Sequence, residues 1–576
     1  MKDSRSESPN AKRAKTDELD ILSPHVMASE AKLRNVYESA TPYPHGRIEN
    51  MFDGKFLENV LQEIKQNSKV KFKESDLFRV YQSIDLGNLS DEAAKELPCL
   101  TKLKDALYSP KYRAFVERIA CLPPNTLTGQ VDCAANCHAP GCHLLCHDDV
   151  IGTRKVSYIL YLTEEGWKKE EGGALEIYNY DEHNGQRIPQ PIPCKTFLPI
   201  FNSMAYFAVQ PGTSFHSVQE VYGERPRLSI QGWYHAQELP EGMENATLNR
   251  LKSTDKGEDT DGAFCSFVDD NDESMSDEIL SKKDHDFLAK YINETYLSKE
   301  SIRNIRERFE EDSSVQLRKF LKQEWIDKFD KSIKEADESL GGGQPALDYK
   351  IGTTGGWKIV GPAHKQRFLD FTGTGENNNV DSSGSLLMHI RENVFQSAPF
   401  NRFFKLITSL GMALGHRGRI RRFRPGLDYT VAHYGILTKK AVLDATLCFC
   451  FGNGEQCRVD EETGDLIGSD ADAVWASGDC GGFECYIEAD DEAEEGSAEA
   501  ADEYDDEDDS ELLSVSACNN TFSLVYRDPG TMRFVKYVGC RAPSSRYDIS
   551  MEYEVEDSYD ECVEDHTANE CHQTDE

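Results

Sequence analysis

Asn202 opens the stretch NSMAYFAVQPGTSFHSVQEVYGERPRLSIQGWY, and far downstream Asn520 opens NTFSLVYRDPGTMRFVKYVGCRAPSSRYDISMEY. Both run through an asparagine, a short apolar strand, Pro-Gly-Thr, a second strand, a turn and a closing strand. Upstream of each lies a second matching pair, EEGGALEIYNYDE from Glu170 and GDCGGFECYIEADDE from Gly478. A third, looser pair joins Pro140-Gly141 and His147 to Pro425-Gly426 and His433. Unrelated β-hairpins can resemble one another, but they have no reason to recur in the same order. The pattern predicts a duplicated β-barrel or jelly roll, each copy preceded by helices, in a chain of α+β class that is predominantly β.

At 576 residues the chain exceeds one ordinary domain. Composition divides it into a tail over 1–28, a first β-rich domain over 29–240 and an acidic linker over 241–284. A second β-rich domain follows over 285–556, with an acidic insertion over 487–511 and an acidic tail over 557–576. Helical periodicity predicts helices at 56–66, 90–109, 110–122, 285–297, 313–333 and 395–414. Ser90 is the N-cap of the second and Pro110 stands in the first turn of the third. The net charge of −38 argues against a general nucleic-acid-binding role and favours basic protein partners. No window is apolar enough for a membrane span. The seventeen cysteines are scattered and read as reduced thiols. Lys12, Arg13 and Lys15, with Arg5, form a candidate import signal, so nucleus and cytoplasm are the expected locations.

The chemistry concentrates in HLLCHDDVIGTRKVSYILYL, His143 to Leu162. If a strand continues through it, His147 and Asp149 share a face and Asp148 points away. His216, 67 residues after Asp149, can supply a third ligand from another strand. Two histidines and a carboxylate leave open positions on a metal, the set used by non-haem Fe(II) oxygenases. The alternative is a zinc site built from Cys133, Cys137, Cys142 and Cys146 beside His138 and His143, although zinc more often takes paired CxxC spacing. In RPRLSIQGWYH, alternation places Arg227, Ser229 and Gln231 on one face. A guanidinium turned into a barrel needs an anion, and its fork suits a carboxylate. Tyr161 can add a hydroxyl. A metal with a carboxylate clamp at a distance matches the two ends of 2-oxoglutarate. Each feature alone has a plainer reading: an acidic turn for His-Asp-Asp, an ion pair for Arg227, core packing for Tyr161. Their joint order and spacing favour the site.

The segments LLCHDDVIGTRKVSYILYL, GGALEIYNYDEH, PGTSFHSVQEV and RLSIQGWYH resemble the ribosomal-protein prolyl 3,4-dihydroxylase family of iron- and 2-oxoglutarate-dependent oxygenases. The resemblance implies two tandem double-stranded β-helix (jelly-roll, cupin-like) domains with flanking helices, the first catalytic. It implies iron ligands His147, Asp149 and His216, and a 2-oxoglutarate clamp of Arg227 with Ser229 and Tyr161. Fe(II), 2-oxoglutarate and O2 follow, with ascorbate as a supporting reductant. The implied substrate is a proline of a basic small-subunit ribosomal protein near the decoding centre, with effects on translation accuracy and termination. Translation-termination or mRNA-associated proteins are further implied partners. One departure is His138, where the family usually has a tyrosine nine residues before the first ligand. In the second repeat, alignment of Pro-Gly-Thr sets Phe534 at the place of His216, and His433-Tyr434-Gly435 lacks the carboxylate, so that copy should not bind iron. The run HRGRIRRFRPG from His416 reads as a solvated or interdomain face more readily than as an RNA contact. The rival function is a non-catalytic adaptor that senses oxygen or 2-oxoglutarate and acts through its second domain.

Overall fold

The computed structural model describes residues 21–252, 262–267, 279–338, 348–373, 382–451, 458–459, 466–467, 474–475, 477–489 and 511–556. The candidate import signal, residues 490–510 of the acidic insertion and the tail from 557 lie outside the described residues.

The helices form where apolar spacing and capping agree. Gly54–Asn67 buries Leu57, Val60, Leu61 and Ile64 as one stripe, and Asp53 accepts the N–H of Phe56 at its start. The predicted helix over 90–109 is instead two, Asp91–Glu96 and Pro98–Tyr108. Pro98 drives Leu97 out of helical geometry (φ −123°), so the chain restarts there with proline in the first turn. The helix expected over 313–333 begins late for a different reason. Ser314–Arg318 is a strand paired with Thr521–Arg527, and the helix is Gln323–Glu338. A neighbouring strand overrode the local periodicity.

The first barrel consists of β1 (His45–Glu49), β2 (Val70–Glu74), β3 (Phe78–Ser83), β4 (Leu127–His138), β5 (His143–His147), β6 (Arg154–Tyr161), β7 (Leu175–His183), β8 (Gln186–Phe197), β9 (Ser203–Ala208), β10 (His216–Val218) and β11 (Arg227–Ala236). They pair in the order β1-β9-β6-β11-β4-β3-β5-β10-β7-β8, with β2 beside β3. Alternation along β6 separates two cores. Val156, Tyr158 and Leu160 pack outward against helix residues such as Leu103 and Phe115, while Ile159 and Tyr161 face inward with Ile177 and Phe207.

The second half repeats this plan. Ser314–Arg318, Thr521–Arg527, Val442–Cys450, Arg546–Glu554, Gly415–Phe423 and Gln366–Phe371 are neighbours in the order of β1, β9, β6, β11, β4 and β3. Glu511–Val515, Glu484–Glu488 and Thr531–Val535 correspond to β8, β7 and β10. The chain therefore contains two double-stranded β-helices. The recurrent Gly-Gly has a physical cause. A Cβ on Gly172 would fall 2.0 Å from the carbonyl oxygen of Glu220, and one on Gly481 would fall 1.9 Å from that of Tyr537.

Two expected boundaries move. Ile21, Leu22 and Val26 are buried, and Pro24–Ala28 is helical, so the tail is shorter than 1–28. Residues 243–251 form two short helical turns with Thr247 and Leu251 buried against the first barrel, so the linker starts later than 241. Asp284, near the linker's expected end, is buried in a two-pronged ion pair with Arg402.

The two barrels meet over β5 and the loop after β10. Leu145 packs with Tyr429, Val431 and Tyr537, and the ring of His143 lies 4.1 Å from that of Tyr537. Glu220, 2% exposed, accepts from the Cys540 N–H (2.8 Å) and the Tyr537 hydroxyl (3.2 Å). Burial pushes its carboxyl up to about 7, although these donors and Arg79 pull the other way. A folded-state pKa above the unfolded one stabilises fully at pH below about 4.5, and that contribution is lost as pH rises through about 7. Glu220→Gln should therefore raise the thermal midpoint relative to wild type above pH 7 and flatten its decline across this window. Parallel melting-temperature profiles for the two proteins would contradict this.

Candidate metal centre and co-substrate pocket

His147 closes β5 and pairs across the sheet with His216, which opens β10. Each imidazole donates Nδ1–H to a carbonyl, that of Leu145 (2.8 Å) or Ser214 (2.8 Å), which leaves Nε2 for a ligand. Asp149 Oδ1 is 3.0 Å from His147 Nε2, and Oδ2 is 3.3 Å from His216 Nε2. One ligand atom from each of the three residues lies within 4.8 Å of the others, the sole such His/Cys/Asp/Glu group among the described residues. Burial pushes the Asp149 carboxyl up, but the two histidines outweigh it and hold it well below the usual range, as a ligand requires.

Strand alternation is not what brings Asp149 there. β5 ends at His147, and Asp149 has left-handed backbone (φ 62°), so a turn delivers the carboxylate. Asp148 does point away, yet it has structural work. It is 2% exposed and accepts the N–H groups of Val150, Gly212 and Thr247, which ties the turn of Asp149 to the Pro-Gly-Thr turn and to the short helix after β11.

Arg227 is fully buried. Its Nε donates to the Gly173 carbonyl (2.8 Å), and Nη1 lies 3.3 Å from His138 Nδ1 and 3.4 Å from Ser229 Oγ. Its guanidinium carbon is 5.1 Å from the centre of the Tyr161 ring. Arg227 Nη2 and the Tyr161 hydroxyl, both buried, form no hydrogen bond of proper geometry. A buried cation with an unmatched donor beside an unmatched hydroxyl fits an anionic ligand. His138, the departure from the family pattern, fits as well. Burial, then the charge of Arg227, depresses its pKa far below the ordinary value, so the ring is neutral and Nδ1 can accept from the guanidinium.

A cavity of about 280 Å3 runs past His138, His147, Asp149 and His216 to Gln231 and Trp233. Arg227 adds no surface to its wall; His138 does. Asn136 was missed in the sequence. It lines this cavity, is 2% exposed, and neither its amide nitrogen nor its oxygen is hydrogen-bonded. The available signal was its place two residues before His138, opposite Ser229 in the ladder. The four cysteines of the zinc alternative do not converge. Cys133 lies in the outer core, and Cys146 packs against Tyr178, Phe215 and Ala363.

Strand register identifies the equivalent positions in the second barrel. Arg546, like Arg227, opens the closing strand, and its ladder partner Phe423 stands where His138 stands. Thr430 beside Gln366 matches Leu144 beside Phe78, which carries His433 to the place of His147 and Gly435 to that of Asp149. The third position is corrected. His216 pairs with Ile177, and the equivalent Tyr486 pairs with Arg533, not Phe534. The turn after the second Pro-Gly-Thr is one residue shorter, so a guanidinium occupies the third position. Arg533 bonds Glu484 (2.9 Å) and Asp444 (3.2 Å), and Arg546 bonds Glu484 (3.2 Å) and Asp548. Where the first barrel leaves Arg227 with an unmatched donor, the second pairs the equivalent Arg546 with its own carboxylates. Burial pushes Glu484 up, but Arg533, Arg546 and Arg421 outweigh it and bring it down to about 2. The basic run from His416 is accounted for in the same way. Arg417 pairs with Glu552, Arg421 with Asp548, Arg422 with Asp337 and Arg424 with Asp428.

A double-stranded β-helix with a His-Asp-His cluster that could hold a metal and an anion-ready arginine defines a 2-oxoglutarate- and Fe(II)-dependent oxygenase. The 2OG-Fe(II) oxygenase superfamily profile matches residues 133–235, and that of the oxoglutarate and iron-dependent oxygenase degradation C-terminal domain matches 283–561. Prolyl 3,4-dihydroxylase OGFOD1 of Ostreococcus tauri is 36% identical over 535 residues, 90% of this chain and 97% of its own. Prolyl 3-hydroxylase OGFOD1 of Xenopus laevis is 29% identical, covering 87% of this chain and 84% of its own. A solved prolyl-4-hydroxylase of Pseudomonas putida aligns with 36% of this chain and 99% of its own, at 18% identity and a TM-score of 0.25. The chain belongs to the OGFOD1 family of prolyl hydroxylases.

Proposed function

We propose that this protein hydroxylates a proline of a small-subunit ribosomal protein near the decoding centre, and so affects translation accuracy and termination. The observation that carries the site assignment is the His147–Asp149–His216 cluster joined by one cavity to His138, which contacts Arg227. His147 and His216 would each offer Nε2 to Fe(II), with Asp149 as the anionic ligand. Arg227 Nη2 and the Tyr161 hydroxyl would take the distal carboxylate of 2-oxoglutarate, with Ser229 and His138 orienting the guanidinium. Bound Fe(II) supplies the oxidative chemistry, in which O2 and 2-oxoglutarate become succinate, CO2 and one hydroxyl on the prolyl ring. Ascorbate would keep the metal reduced. The barrel would hold and orient the reacting groups.

The net charge of −38 supports a basic substrate, since an acidic surface attracts a ribosomal protein and repels nucleic acid. Nucleus and cytoplasm, where ribosomal proteins are made and assembled, are the corresponding locations. Mass spectrometry of small-subunit ribosomal proteins from cells with and without the protein tests this. A prolyl mass increase of one or two oxygen atoms that depends on the protein is expected. An identical prolyl pattern in both cells would refute the substrate assignment.

A further inference from the structure

The strand that carries His216 is gripped from outside by the second barrel. Along β10 the side chain of His216 faces the cavity, while Phe215 and Ser217 face away from it. Ser217 Oγ donates to Glu176 Oε2 (2.9 Å), its ladder partner on β7, and Glu176 is 1% exposed. The Tyr349 hydroxyl, from the second half of the chain, bonds both oxygens of Glu176 at 2.7 and 2.8 Å. Tyr349 is itself held. Its carbonyl accepts from Arg424 (2.6 Å), and Arg367 stacks 4.5 Å above its ring while donating to the Tyr178 hydroxyl (3.3 Å). On the other flank, Phe215 packs against Ala363, and its ring lies 5.9 Å from that of His364.

We propose that Tyr349, acting through Glu176 and Ser217, is a positioning residue for His216, so that the catalytically silent barrel sets the geometry of the third metal ligand. A buried carboxylate that bridges a tyrosine of one domain and a serine of the other fixes the backbone of Ser217, and with it the imidazole one residue earlier. Supporting groups around a ligand commonly change metal affinity 10- to 100-fold. Arg533 prevents the second barrel from holding such a metal itself, but the surface it presents to the first barrel remains ordered and polar.

The inference rests on His147, Asp149 and His216 holding the metal, so the test separates the two. Co(II) would be titrated into the full-length protein and followed by its visible absorption, for wild type, Tyr349→Phe, Glu176→Gln, Asp149→Ala and Arg541→Ala. The last cuts an exposed interdomain ion pair with Glu224. Tyr349→Phe should bind Co(II) about tenfold more weakly, with the shifted imidazole N–H resonance of His216 moving more than that of His147. Arg541→Ala should match wild type, and Tyr349→Phe should stay folded with a lowered metal-free melting temperature, since buried Glu176 loses a donor. Glu176→Gln, which keeps one acceptor for the hydroxyls of Ser217, Tyr349 and Tyr178, should fall between. Equal Co(II) affinity and an unmoved His216 resonance in Tyr349→Phe would overturn the positioning role. Wild-type Co(II) binding that survives in Asp149→Ala would overturn the metal-site reading beneath it.

Discussion

Asp149→Ala should lose Fe(II) and succinate formation together, whereas Arg227→Ala should keep Fe(II) and lose 2-oxoglutarate. The two sites are separate in space, so their failures should be separable in measurement. Asp149 is the sole anionic member of the cluster, 3.0 and 3.3 Å from the two imidazole nitrogens. Without it the cluster keeps two imidazoles and no carboxylate, and the loss should exceed the roughly 10- to 100-fold typical of outer supporting groups. Arg227 touches no metal ligand among its hydrogen-bond partners, which are Gly173, His138 and Ser229. Its removal deletes a charge-assisted bond in a dry site, worth roughly 1.5–3 kcal/mol per bond, so the KM for 2-oxoglutarate should rise on the order of 100-fold. Isothermal titration of each ligand, beside succinate assays, measures both. Equal loss of metal and co-substrate in Arg227→Ala would make the arginine structural and break the assignment.

Asp548→Ala should destabilise the second barrel by roughly 3–5 kcal/mol, the cost typical of breaking a buried ion pair on one side. Asp548 is fully buried and bonds Arg546, while both Arg421 Nε (2.9 Å) and Nη2 (3.0 Å) donate to it. Its removal strands two guanidinium groups in the lumen, with Glu484 left to compensate them while it shares Arg533 with Asp444. Thermal unfolding followed by circular dichroism should show a lower midpoint. The double variant Asp548→Leu, Arg546→Met removes one of the two stranded guanidinium groups and leaves Arg421 to Glu484, so it should recover part of the loss. A single variant as stable as wild type would mean that water already reaches this network.

The legible part of the fold was whatever depends on local alternation and order. The strands over 155–162, 203–210 and 227–235 were plain because inward and outward residues alternate on each. The same alternation singled out Arg227 and Ser229. The apolar spacing over 90–109 is helical throughout, but Pro98 forces Leu97 out of helical geometry and splits the helix there. Ser314–Arg318 is a different case. Its sequence is compatible with a helix, and only the free edge of Thr521–Arg527 makes it a strand.

By itself, the sequence determined that two β units recur in order, that His147, Asp149 and His216 belong to the first, and that the second has lost the set. These are statements about residue type and spacing, which neighbours in the chain decide. Tertiary structure alone decided that Asp149 arrives by a left-handed turn, that Arg533 rather than Phe534 stands at the place of His216, and that Tyr349 reaches Glu176. Register is set by hydrogen bonds between strands far apart in sequence, and a slip of one residue turns a side chain from the surface into the lumen. That one-residue difference is what separates a phenylalanine from a guanidinium at the place where the first barrel keeps a histidine.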